Sequence, residues 1–126
     1  MLSWFRRRPP APLTGAPAIR RQKTYSAASG YVYQYYYEGQ RRLDDGQEFV
    51  FDVSADRKTS FPVSVNLPDS AAQANNRVLG STERYAVAKM ALFAAFDERE
   101  TPAAMVSQVV VGPADVVRIL AELGLD

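Results

Sequence analysis

Between residues 31 and 67 the apolar side chains return at every second position, the period of a β-strand whose successive residues point to opposite faces of a sheet. Tyr31, Tyr33, Tyr35 and Tyr37 alternate with Val32, Gln34, Tyr36 and Glu38. Phe49, Phe51 and Val53 alternate with Glu48, Val50 and Asp52, and Phe61, Val63, Val65 and Leu67 with Pro62, Ser64 and Asn66. Residues 39–46, ending in Asp45-Gly46, carry turn chemistry, and residues 55–60 separate the second run from the third. Three such runs in succession predict an antiparallel meander. If Tyr37 pairs near Phe49 and Val53 near Phe61, the odd-numbered residues of all three strands share one face that is entirely apolar or aromatic, and that face is the core. Pro62, which has no N–H to give to a ladder, points the third strand towards a sheet edge.

Beyond residue 80 the pattern is helical. Residues 82–100 read as a helix that is apolar almost all the way round, with Lys89 the only charge between Tyr85 and Phe96. A helix of that kind is buried on more than one side, so it is expected to cover the core face of the sheet, and its second side could also serve a dimer. Ser81 or Thr82 is the expected N-cap. Residues 113–123 form a second helix with Val116, Ile119, Leu120 and Leu123 on one stripe and Gly124 as C-cap. Two stretches are ambiguous. Residues 68–80 lean towards a short helix capped by Asp69 and stopped at Gly80, against a long surface loop. In residues 101–111, Thr101-Pro102 argues a helix start, whereas Val109, Val110 and Val111 argue a fourth strand. The fold class is therefore α+β: an antiparallel meander of three or four strands, one face covered by the central apolar helix and the C-terminal helix.

Charge divides the chain more sharply than its net value of +1 suggests. Residues 1–37 carry six cations, Arg6, Arg7, Arg8, Arg20, Arg21 and Lys23, and no acid, while the rest carries nine cations and all 14 acids. Pro9, Pro10, Pro12 and Pro17 favour extended backbone in the same region. The expected organisation is a basic, proline-rich flexible arm over residues 1–24 and a single α+β domain over 25–126. Trp4 and Phe5 beside the arginine cluster suit a partner's pocket or a headgroup layer, so Trp4, Phe5, Arg6, Arg7, Arg8, Arg20, Arg21 and Lys23 are the candidate partner- or anion-binding residues. The bland alternative is a disordered tail.

The chain holds no cysteine and no histidine. Thiolate nucleophiles, Ser-His-Asp triads, disulfides and the usual nitrogen and sulfur metal ligands are thereby excluded. Acid pairs remain, namely Asp44 and Asp45 with Glu48 and Asp52, or Asp97, Glu98 and Glu100. None has the spacing of a calcium loop, and the first pair reads as turn chemistry. Val111-Gly112-Pro113 reads as a helix cap, since no glycine-rich phosphate motif accompanies it. Lys89 reads as a lysine that snorkels to the helix edge.

The expected role is a non-enzymatic interaction module without cofactor or metal, docking through its arm onto a protein partner or a second copy of itself in a larger assembly. The alternative is an RNA or single-stranded nucleic-acid binder using the arm and the tyrosine-rich strand, with six cations giving salt-sensitive attachment. Membrane contact would be superficial, because no apolar run approaches the roughly 20 residues of a spanning helix, and no secretory signal is read, so a cytoplasmic location is expected.

Overall fold

The computed structural model describes residues 11–74 and 76–125. Among these residues the elements follow one another as β1 (Lys23–Ser26), β2 (Val32–Arg42), β3 (Gly46–Ser54), β4 (Phe61–Pro68), β5 (Gln73–Ala74), β6 (Arg77–Val78), α1 (Ser81–Asp97), β7 (Gln108–Val110) and α2 (Pro113–Leu123), with a 3₁₀ turn at Pro102–Ala104. The fold is α+β. Its main sheet has five strands in the order β1-β2-β3-β4-β7, antiparallel throughout except for the last pair, and β5 and β6 form a separate hairpin.

The parity argument holds in the structure. Tyr33, Tyr35, Phe49, Phe51, Val53, Val63, Val65 and Leu67 are all buried on one face. Val53 lies opposite Phe61 as expected, but Tyr37 lies opposite Phe51, two residues from its expected partner. A shift of two leaves the faces unchanged, since the side-chain period is also two. A bulge between Tyr37 and Gly39 shifts the register by one residue, and β2 continues beyond it to Arg42 through residues whose sequence reads as loop. Tyr31, at the strand's entrance, stays exposed.

α1 covers this face, and from Glu83 to Phe96 none of its side chains is fully exposed. Val87, Ala88, Ala91, Leu92, Ala95 and Phe96 are buried, packed between the sheet and α2, whose own Val116, Ile119 and Leu120 complete the core. Leu123, expected on that stripe, remains partly exposed at the helix end. The cap of α1 is Gly80 in place of Ser81 or Thr82. The Glu83 carboxylate turns back to accept the Gly80 N–H at 3.1 Å and so satisfies a donor that a serine side chain would not reach. α2 begins the same way, with Asp115 accepting from Gly112 at 2.9 Å, and ends on Gly124 in the left-handed conformation.

Three expectations need correction. The described residues of 68–80 form no helix: a turn after Pro68 buries Ala71 and Ala72, and the β5–β6 hairpin follows. Asn76 adopts a positive φ of 62°, which asparagine tolerates and a helix does not. Residues 101–111 follow the strand reading and not the helix one: Thr101-Pro102 opens only a 3₁₀ turn, Pro102–Ala104, the chain is extended again at Met105, and the valines give β7. β4 is not an edge, because β7 pairs with it in parallel over Ser64–Asn66; the pairing stops short of Pro62, where the missing donor would have left a gap. One further strand, β1, straddles the expected boundary between arm and domain at residues 24 and 25.

Candidate functional site

The arm does not leave the sheet at β1. Thr14 and Gln40 exchange both backbone hydrogen bonds at 2.8 Å, forming an antiparallel bridge farther along the same edge of β2. Gly39 makes that approach feasible. Its φ is +127°, a conformation side-chain-bearing residues avoid, and a Cβ there would lie 2.8 Å from the Thr14 carbonyl oxygen. The Ala11 carbonyl accepts from the Arg41 guanidinium at 2.9 Å. Between the bridge and β1, the arm arches away from the edge.

Arg20 fastens this arch to the outer face of the sheet. Its Nε meets Glu38 at 2.9 Å, its Nη2 meets Asp52 at 3.0 Å, and the guanidinium lies 3.6 Å from the centre of the Tyr36 ring. The Tyr36 hydroxyl donates to Gln22 at 3.2 Å. Arg20, a candidate partner-binding residue, is thus paired with acids of the body. Arg21 and Lys23 alternate to the other side and make no ion pair among the described residues. Trp4, Phe5, Arg6, Arg7 and Arg8 lie outside the described residues.

Beneath the arch, on the core side, is a cavity of about 370 Å³ lined by Pro17, Ala18, Ile19, Arg21, Lys23, Tyr35, Tyr37 and Tyr85. Its floor follows from how α1 crosses β2. Tyr33 stacks on Phe96 with ring centres 4.1 Å apart, Tyr35 meets Phe93 edge-on at 5.6 Å, and Tyr37 tilts against Tyr85 at 4.8 Å. Tyr33 to Tyr37 spans about 14 Å of strand and Tyr85 to Phe96 about 17 Å of helix, so the two aromatic rows are of similar length. Between Tyr85 and Phe93 the helix presents Lys89, whose ammonium lies 5.9 Å from the Phe93 ring centre. The ladder is closed at the Phe96 end and open at the Tyr85 end.

Electrostatics follow from this placement. Burial pushes the phenols of Tyr35 and Tyr37 up to about 12 and raises that of Tyr85, so all three remain protonated donors at neutral pH. Burial also lowers the Lys89 ammonium, and the positive charge of Lys23 adds to the effect. Among the described residues no hydrogen bond satisfies the hydroxyls of Tyr35, Tyr37 or Tyr85. The cavity therefore combines apolar walls, three hydroxyl donors and a cationic rim.

A second cavity, of about 260 Å³, lies between α1, β7 and α2 and is lined by both acids and bases, among them Glu98, Arg99, Asp115 and Arg118. Arg118 is already paired with Asp115 and Glu122. The acid clusters of the sequence are dispersed. Glu48 pairs with Arg41 across the strands, Asp52 with Arg20, and Asp97 accepts from the Tyr25 hydroxyl at 2.7 Å and the Ala28 N–H at 2.8 Å, tying β1 to the end of α1. That bond is the main reason the Tyr25 phenol is pushed up to about 12. Among the described residues no group of three or more acidic side chains converges as a metal ion would require. No helix among them is long and apolar enough to cross a membrane.

The sequence contained a signal for this site: an isolated glycine, Gly39, inside a strand-like run marks a bulge or a close backbone approach. The arch itself has no such signature, because it depends on residues 14 and 40 meeting. No protein family, curated protein or solved structure matches the chain.

Proposed function

We propose that this chain is a non-enzymatic interaction module whose N-terminal arm docks onto an acidic surface of a protein partner. The observation that carries the reading is the division of labour within the arm: Arg20 fastens the arch to the body, while Arg21 and Lys23 stand exposed beside it with no ion pair among the described residues. Cations held on a braced loop lose less conformational freedom on binding than cations on a free tail, which favours recognition. The cavity supports a binding role over a catalytic one, because its three phenols are protonated at neutral pH and no carboxylate lines it to serve as a base.

Reading β2 as a nucleic-acid platform is the weaker alternative. A base-stacking surface needs exposed rings, and Tyr33 and Tyr35 are 0% and 3% exposed.

Co-purification from low salt with the full chain and with the Arg21→Glu, Lys23→Glu double variant tests the proposal, with protein and nucleic acid both quantified. A defined acidic protein should accompany the full chain and be lost from the variant. Recovery of nucleic acid in its place, lost with salt across all sequences, would favour the alternative. Equal recovery of the same protein by both chains would remove the arm from the account.

A further inference from the structure

The tyrosine cavity under the arch has a chemistry of its own, although it shares Arg21 and Lys23 with the docking of the arm. Its volume of about 370 Å³ falls within the range of roughly 300–1,000 Å³ that small-ligand sites occupy. Its walls are the rings of Tyr35, Tyr37 and Tyr85 with the aliphatic bodies of Pro17, Ala18 and Ile19, and its charged lining is solely cationic, Arg21 and Lys23. Glu38 and Asp52 are paired with Arg20 and do not line the cavity.

We propose that this cavity is a binding site for a small aromatic carboxylate, its ring held among Tyr35, Tyr37 and Tyr85 and its carboxylate between Arg21 and Lys23. Arg21 offers the planar fork that matches a carboxylate, and Lys23 a second point charge. The tilted ring pair of Tyr37 and Tyr85, 58° from coplanar, forms an open angle against which a planar ligand makes both face and edge contacts.

The site rests on the same arch as the docking proposal but does not require a protein partner, so the two fail separately. The test uses the purified full chain with 2-naphthoate, its neutral counterpart 2-naphthalenemethanol and the aliphatic decanoate, followed by calorimetry and by ring-proton shifts of the tyrosines. Naphthoate should bind at least about tenfold more tightly than the neutral alcohol and than decanoate, and should shift Tyr35, Tyr37 and Tyr85. The Arg21→Gln, Lys23→Gln double variant should lose that tenfold advantage while its affinity for the alcohol stays within about twofold. Ala18→Phe, a change on the exposed arm that fills the cavity without touching the core, should abolish binding of both aromatic probes at an unchanged melting temperature. Equal affinity for naphthoate and the alcohol, or full affinity in the charge variant, overturns the carboxylate assignment. Decanoate binding as tightly as naphthoate overturns the aromatic one, and shifts confined to residues outside the cavity overturn the site.

Discussion

The two ends of one strand treat the same residue differently. At one end of β2 Tyr33 lies flat on Phe96 and both are sealed; at the other Tyr37 leans on Tyr85 beside open space. The alternation Tyr33, Tyr35, Tyr37 gives no hint of this, since it specifies only the face on which a ring stands. The filling is decided by what lies opposite. α1 brings a phenylalanine to Tyr33 and buried alanines close behind it, whereas at the Tyr85 end the opposing layer is the arm, braced by a backbone bridge, by Arg20 and by the Arg41 and Tyr36 hydrogen bonds. A helix packs a face; a strap leaves room beneath it.

Substitutions should separate these ends. Phe96→Ala removes a fully buried ring from the closed end and should cost about 3–5 kcal/mol in chemical denaturation. Gly39→Ala should come next, at about 1–3 kcal/mol, because the alanine inherits a left-handed φ and meets the Thr14 carbonyl. Its diagnostic sign is local: the Thr14 and Gln40 amides should exchange with solvent much faster than those of β3. Tyr85→Ala should cost only about 1–2 kcal/mol, since that ring is half-buried and already borders a cavity.

Alkaline pH acts on the buried phenols without mutation, on Tyr35 and Tyr37 and equally on Tyr25, which is also pushed up to about 12. The folded phenols of Tyr35 and Tyr37 lie near 12, above the ordinary value of about 10, so the folded chain holds these protons more tightly than the unfolded one. Their contribution is complete below about pH 10 and is lost as pH rises towards 12, so the denaturant midpoint should fall across that window. Tyr35→Phe together with Tyr37→Phe should flatten the fall. The smallest effect is expected of Arg20→Gln. Its ion pairs are exposed and contribute little to global stability, but arm residues 15–22 should become more accessible to protease while the melting temperature barely moves.

These contrasts also explain which features were legible in the sequence. The core face of the sheet was readable because a period of two survives a register error: the pairing of Tyr37 differed by two residues and every side chain still fell on its expected face. The covering role of α1 was readable because a helix carrying only Lys89 as a charge between Tyr85 and Phe96 has no side to give to water. Residues 68–80 misled because alanine and a capping aspartate favour a helix locally, whereas Asn76 takes a left-handed turn that burying Ala71, Ala72 and Leu79 rewards. Of the candidate site, Arg21 and Lys23 were identifiable by charge, but Arg20 could not be told from them. Alternation along the arm sends it to the acids of the outer face, and that depends on Glu38 and Asp52 being neighbours across two strands. The cavity was invisible for the same reason, being made by contacts between the arm and elements far away in the chain.

The most direct test of the difference between the two ends is the accessibility of aromatic ring protons in the full chain to a neutral, water-soluble paramagnetic agent, measured by NMR. The rings of Tyr33 and Phe96 should be unaffected, while those of Tyr37 and Tyr85 relax measurably faster. Uniform protection of all four would mean that no cavity opens beneath the arm, and uniform relaxation would mean that Tyr33 is not packed under Phe96; either result would contradict the account.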